Sequence, residues 1–200
     1  MFEQGVELYV KGINMDEQTK TLFRLIQERY VKVVWTHKIQ LCQAAIHSKK
    51  NKRRNGALAF LSCAVSAAAI THVLKWLPAE IMVPILAVLS LMLTFFTILY
   101  KSDNLGKAAS ENEHFAATMH DLRNRYESLL ADIKSEQLTK EQIIVRRDAL
   151  EHEEDLIYSG IVPATSSEAV DAASKALKTN QDSTTTDKEV ELLVSDNLQI

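Results

Sequence analysis

Two long runs without a formal charge restrict the folds open to this sequence. The first covers residues 56–74 and the second residues 81–100, which are nineteen and twenty residues. At about 1.5 Å rise per residue, a helix of either length reaches about 28–30 Å, the thickness of a bilayer's hydrocarbon core. Only the short segment 75–80 separates them, so two membrane-spanning helices here have to be antiparallel. The pattern predicts a two-span membrane hairpin.

A buried helical hairpin of a soluble protein is the alternative interpretation. Helices of that kind usually keep a polar stripe, whereas the second run is apolar on nearly all faces, which favours the membrane. The first run is weaker, because it consists largely of Ala, Ser, Gly and Cys and is marginal as an independent span. Small residues at four-residue spacing, Ala59, Cys63 and Ala67, allow another helix to approach it closely.

Charge predicts the orientation of the hairpin. Residues 1–55 contain eleven Lys and Arg against five Asp and Glu, whereas residues 102–200 contain ten against twenty. A basic cluster directly precedes the first run and consists of Lys49, Lys50, Lys52, Arg53 and Arg54. Since basic residues stay on the cytoplasmic side, we expect an inner (plasma) membrane protein with both termini in the cytoplasm. A nuclear-localisation or nucleic-acid signal is the alternative reading of this cluster, but beside a span we expect it to bind lipid rather than nucleic acid.

The segment before the first run is predicted to be a long helix. Asn14-x-x-Glu17 fits a capping box, and neither Pro nor Gly occurs between it and Gly56. One helix face is marked by residues at alternating three- and four-residue spacing: Phe23, Ile26, Tyr30, Val33 and His37. This helix can continue into the first span and carry the basic cluster to the membrane surface.

The segment after the second run is predicted to contain two more helices, since Ser110-x-x-Glu113 and Thr139-x-x-Gln142 both fit capping boxes. A candidate helix-pairing seam follows the first box and consists of Phe115, Met119, Leu122, Tyr126, Leu129 and Ile133. Its heptad spacing is typical either of a coiled coil with a partner or of a helix that packs on the chain's own first helix. After Pro163 the sequence is rich in Ser, Thr, Ala and Asp, which predicts disorder.

The predicted fold class is all-α, an integral membrane two-helix hairpin flanked by long cytoplasmic helices and followed by a disordered C-terminal tail. The predicted segments are an N-terminal arm (1–14), a cytoplasmic helix ending in the basic cluster (15–55), transmembrane helix 1 (56–74), an outside loop (75–80), transmembrane helix 2 (81–100), cytoplasmic helices with the heptad seam (110–158) and the tail (164–200).

No catalytic constellation, cofactor site or metal site is evident in the sequence, so an enzyme is not expected. Glu111-x-x-His114 matches half of a di-iron helix motif, but the second half and the further carboxylates are missing. His72, near the end of the first run, can either titrate and gate something or simply lie at the membrane interface.

Weakly polar residues inside the two runs are more informative. They form a candidate pore or packing face: Ser62, Ser66, Ser90, Thr94 and Thr97. Such stripes suit either a water-lined pore or tight helix packing. One hairpin cannot enclose a pore, so several copies are needed and a homo-oligomer in the lipid bilayer is expected.

The order and spacing of these features resemble the SLATT family of bacterial two-transmembrane effector proteins. The resemblance covers about residues 15–157 and rests on the basic run, the hairpin and these positions: Tyr30, Trp35, His37, Lys38, Phe115 and Tyr126. It implies a pore-forming effector of prokaryotic conflict systems, and it supplies no catalytic residues.

The same resemblance implies a partner from a neighbouring gene: a nucleotide-signal synthase, a sensor protein or a reverse transcriptase. The alternative function is a non-conducting membrane anchor that recruits a partner through its cytoplasmic helices.

Overall fold

The computed structural model describes residues 16–74 and 78–179, and every regular element in these ranges is an α-helix. The helices are α1 (Glu17–Val73), α2 (Ala79–Asp103), α3 (Leu105–Lys134), α4 (Lys140–Ser159) and α5 (Ser167–Lys178). They belong to two compact units. The hairpin unit is Cys42–Glu113, and the bundle unit combines the described residues up to Leu41 with those from His114 onward.

Helix α1 is one uninterrupted helix of 57 residues, so the predicted cytoplasmic helix and the first span are continuous. Its first turn is capped by Asp16, whose side chain accepts a hydrogen bond from the backbone N–H of Thr19 at 3.3 Å. Hydrogen bonding to Thr19, through its side chain first and its backbone second, lowers the pKa of Asp16. Glu17 is therefore the first residue of the helix, whereas the predicted capping box would make it the third. Asn14, the other residue of that box, lies outside the described residues.

Helix α2 extends beyond the predicted span at both ends. Pro78 precedes its first turn with a φ of −56°, a value compatible with helix entry, and Ala79 and Glu80 are helical rather than part of the predicted loop. Residues 75–77 of that loop lie outside the described residues. Pro84 lies inside α2, and the helix continues through it to Asp103.

The break between α2 and α3 occurs at Asn104, which has φ 33° and ψ 48°. This left-handed conformation ends α2, and the Asn104 side chain then accepts a hydrogen bond from the backbone N–H of Lys107 at 3.3 Å, which caps α3. The predicted start of this helix at residue 110 is wrong, because Asn104 serves both helix ends and Ser110 lies inside α3.

The core of the bundle unit forms where α1, α3 and α4 meet. Its buried residues are Phe23, Ile26, Val33, Phe115, Met119, Leu122, Tyr126, Leu129, Ile133, Ile143 and Leu150. The predicted face of α1 is thus confirmed as a buried face. The predicted capping box of α4 is confirmed as well, since the Thr139 hydroxyl accepts from the backbone of Gln142 and the Gln142 side chain accepts from the backbone of Thr139.

Helix α5 contradicts the prediction of a disordered tail from residue 164. Ser166 caps it by accepting from the backbone N–H of Ala169 at 3.3 Å, and one alanine face is buried: Ala169, Ala173 and Ala176. Helix α5 also contacts α1: the Lys178 ammonium lies 5.5 Å from the ring centroid of Trp35, a residue of α1. The prediction failed because alanines bury a face without raising the hydrophobicity of the segment. Residues 180–200 of the predicted tail lie outside the described residues.

Candidate functional surfaces

The two membrane-length stretches of the hairpin unit have an internal seam of half-buried residues and one buried residue, Met82. In α1 the seam residues are Leu58, Leu61, Val65, Ala68 and His72; in α2 they are Met82, Leu86, Leu89, Leu93, Phe96 and Tyr100. Both rows alternate between three- and four-residue spacing, as in left-handed packing of antiparallel helices. These rows were not predicted from the sequence, because their neighbours are also apolar and the three- and four-residue spacing does not stand out.

The predicted polar face lies largely outside this seam. Ser62 and Ser66 of α1 and Thr94 and Thr97 of α2 are exposed, and Ser90 is half-buried. Hydroxyl groups of this face donate to carbonyls of their own helices, with distances of 3.0 Å from Ser66, 2.9 Å from Thr94 and 2.7 Å from Thr97. The donors are therefore satisfied in an apolar environment, while each oxygen keeps lone pairs that can accept from water or a neighbouring helix.

Between residues 59 and 67, every exposed residue of the first span except Phe60 is small, whereas Ile70, Val73 and Leu74 are large and exposed nearer its end. Ala59, Cys63 and Ala67 are exposed beside Ser62 and Ser66, and Cys63 is a free thiol. The outward face of α2 is instead built from large apolar side chains, which include Leu91 (71% exposed), Phe95 (59%) and Ile98 (65%). The two spans thus differ most over residues 59–67 of the first, where the exposed surface is largely small and weakly polar, whereas the exposed surface of α2 is mostly large and apolar.

The basic cluster is divided by the structure. Lys49, Lys50, Lys52 and Arg53 are exposed, whereas Arg54 is half-buried. The Arg54 guanidinium forms an ion pair with Asp103 at 2.8 Å and lies 5.0 Å from the ring centroid of Tyr100. Sequence reasoning grouped Arg54 with its neighbours, because nothing local distinguishes it; the distinguishing partner is 49 residues away.

The predicted helix-pairing seam is inside the bundle unit. All six of its residues are buried in the core with residues of α1 and α4, so the seam pairs helices of the same chain. At its centre, the hydroxyl of the fully buried Tyr126 donates to Glu154 at 3.0 Å, and Arg29 lies 3.7 Å from the same carboxylate oxygen. Burial, followed by the charge of Glu154, raises the pKa of Tyr126, which keeps the phenol protonated.

A second polar contact in the bundle unit joins His37 of α1 and His120 of α3, whose ring centroids are 5.3 Å apart. Burial first, and then the electrostatic effects of His120, Arg123 and Lys38, together lower the pKa of His37 to about 4. His37 is therefore neutral at physiological pH. The surroundings of His37 therefore disfavour its charged form.

The described residues provide no metal centre: among residues 16–74 and 78–179, no group of three or more His, Cys, Asp and Glu side chains could hold an ion. Glu111 of the half di-iron motif pairs with Lys107 at 3.4 Å, and the hydroxyl of Thr118 donates to the backbone carbonyl of His114. Both contacts lie along α3, so they are local helix contacts.

Two of the described helices are long and apolar enough to cross a membrane, and most apolar side chains in their membrane-length stretches are exposed, as expected of a two-span integral membrane protein. The chain matches the family model described as SMODS and SLOG-associating 2TM effector domain family 4 over residues 22–189, and it belongs to this family. The match includes α5 and therefore extends past the narrower resemblance read from residues 15–157. Comparison with curated proteins and with solved structures finds no match.

Proposed function

We propose that this protein is a membrane effector of a prokaryotic defence system that assembles into an oligomer and permeabilises the inner membrane. The observation that carries the proposal is the stretch 59–67 of the first span, where every exposed residue except Phe60 is small. Membership of an effector domain family with two transmembrane helices supports the membrane location and the effector role.

The face formed by Ala59, Ser62, Cys63, Ser66 and Ala67 is a poor surface for lipid. Small side chains bury little apolar area against acyl chains, but they allow the backbones of neighbouring helices to approach closely. Since the internal seam of the hairpin uses the other side of α1, this face is left for a second copy or for water. Assembly of several copies satisfies both requirements, with part of the face packed and part lining a lumen.

Electrostatics supports an orientation with both termini in the cytoplasm. The exposed cations Lys49, Lys50, Lys52 and Arg53 stand one turn or two before the first span, where anionic headgroups attract them by about 1 kcal/mol each. The partner that triggers the effector is proposed to come from a neighbouring gene, as a nucleotide-signal synthase, a sensor protein or a reverse transcriptase. The proposal involves no catalytic step in this chain.

A non-conducting membrane anchor is the competing function. In its sharpest form, the seam from Phe115 to Ile133 recruits the partner. That seam is buried against α1 and α4 in the same chain, so recruitment through it would require the bundle core to open. This cost makes the pore the better supported proposal.

The decisive cellular test follows membrane potential with a voltage-sensitive dye after expression together with the triggered partner system. We expect depolarisation by the wild type and loss of it in Ser62→Leu/Ser66→Leu, where bulk blocks the small face. Ser62→Ala/Ser66→Ala is the matched control: it keeps the face small and removes only the hydroxyls. If the triggered wild type does not depolarise the membrane, the pore proposal is excluded. If the leucine variant depolarises it normally, a role of this face in the pore is excluded.

Cross-linking tests the assembly itself. In a Cys42→Ser background, oxidation of membranes should trap dimers through Cys63, because this thiol is exposed on the proposed interface. The control is Leu91→Cys in a background without native cysteines, since Leu91 is on the bulky face of α2. Equal trapping at both positions would argue against an interface on α1.

A further inference from the structure

We propose that Arg54, Asp103 and Tyr100 form a latch that holds the two spans together at the ends opposite their connecting loop, and that Asn104 is the hinge at which they separate. The inference rests on the proposed function, because release of the latch is the step that would let the spans rearrange during activation. All four residues belong to the hairpin unit.

The latch joins residues of different helices through two contacts on one side chain. The guanidinium of Arg54, on α1, pairs with the carboxylate of Asp103 at 2.8 Å. The same guanidinium lies 5.0 Å from the ring centroid of Tyr100, one turn earlier on α2. Arg54 is thus held between a carboxylate and an aromatic face, which restricts its side chain more than either contact would alone.

The hinge follows directly after Asp103. Asn104 adopts φ 33° and ψ 48°, a conformation that side-chain-bearing residues rarely use, and it interrupts the hydrogen-bonded helix between α2 and α3. A change of φ and ψ at this one residue alters the direction of α2 relative to α3 without breaking either helix. A hinge next to an ion pair is a place where a few contacts control a large displacement.

Close packing between α1 and α3 begins directly after the hinge. A Cβ atom placed on Gly106 would lie 3.3 Å from Nδ2 of Asn51, so α3 approaches α1 closely just after Asn104. Ala109, one turn further along α3, is buried. In the proposed opening, the first turns of α3 follow α2 away from α1, which would expose Ala109. This exposure gives the latch a readout that does not depend on ion flow.

The strength of the latch sets the expected effect. The side chain of Arg54 is 28% exposed and that of Asp103 is 53% exposed, so the ion pair is partly exposed to solvent. A partly exposed ion pair and one cation–π contact together shift an equilibrium about tenfold. Breaking the latch should therefore raise the population of the open arrangement by about this factor.

The test uses the full-length protein in native membranes, without Cys42 and Cys63 and with Ala109→Cys as the only thiol. A water-soluble maleimide labels this thiol in proportion to the open population. We expect Arg54→Gln, which removes both contacts, to raise the labelling rate about tenfold, and Asp103→Asn, which removes only the ion pair, to raise it about threefold. The swap Arg54→Asp/Asp103→Arg restores an ion pair and should bring the rate below that of Arg54→Gln. Arg53→Gln, which removes the same charge from an exposed neighbour, should leave the rate unchanged.

Each result has one meaning for the latch. Faster labelling in both single variants, with a swap slower than Arg54→Gln, supports it. Unchanged labelling in either single variant, or a swap as fast as Arg54→Gln, overturns it. Ion flux measured on the same variants tests the pore separately. Absence of flux in every variant, together with the expected labelling pattern, would remove the pore proposal and leave the latch supported.

Discussion

Replacement of Tyr126 by phenylalanine tests whether the predicted seam is the core of the bundle. The substitution keeps the ring and removes only the hydroxyl that donates to Glu154 at 3.0 Å. Tyr126 is fully buried and Glu154 is 5% exposed, so water cannot replace the lost donor. A hydrogen bond to a charged buried acceptor contributes about 1.5–3 kcal/mol. Arg29, at 3.7 Å from the same oxygen, continues to stabilise the carboxylate and places the expected loss near the lower end, at about 1.5–2 kcal/mol.

The assay is thermal unfolding of the full chain in detergent, followed by circular dichroism. For a chain of this length, about 1.5–2 kcal/mol corresponds to a decrease in Tm of about 3–8 °C. Tyr158→Phe is the matched control, because its hydroxyl lies 3.0 Å from the Thr36 hydroxyl at an exposed position. That change should lower Tm by less than about 2 °C. Equal shifts in the two variants would refute the assignment of Tyr126 to a closed core.

Three further predictions concern the bundle and the membrane orientation. The contribution of His37 to the free energy of unfolding should be constant above about pH 6.5 and fall by up to about 2 kcal/mol towards pH 4. The reason is that the pKa of His37 is lowered from 6.5 to about 4 in the folded protein, so the unfolded chain binds the proton first. Melting curves of His37→Gln, recorded as a function of pH, should lose most of this dependence. Ala173→Glu places a charge on the buried face of α5 and should accelerate proteolysis between α4 and α5 by about tenfold or more, whereas Ala172→Glu, on the exposed face, should not; equal cleavage of both would contradict the packing of α5. Replacing Lys49, Lys50 and Lys52 by glutamate should move part of the C-terminal reporter fusions out of the cytoplasm; an unchanged reporter pattern would show that these charges do not set the orientation.

Much of the fold follows from periodicity in the sequence. The seam from Phe115 to Ile133 and the face from Phe23 to Val33 were both readable, because long amphipathic helices repeat their apolar residues at every turn. The identity of the seam's partner was not readable: the spacing suits a coiled coil and an intrachain bundle equally. Burial against α1 and α4 decides for the bundle, and that contact joins residues far apart in the sequence.

Two features escaped the sequence for different physical reasons. Helix α5 buries only alanines, so its composition resembles a disordered segment even though Ser166 caps it. The special role of Arg54 depends on Asp103 and Tyr100, which reach it only after the chain has reversed direction. Local patterns predict which residues share a helix face, but they do not identify a partner on another helix.

The central claim is that assembled copies of this protein conduct ions. It is tested most directly by the electrical conductance of the purified protein in planar lipid bilayers, with and without the product of the neighbouring partner gene. We predict discrete conductance steps that require the partner's signal and disappear in Ser62→Leu/Ser66→Leu. A wild-type protein that inserts, cross-links through Cys63 and still passes no current in the presence of the active partner would contradict the claim.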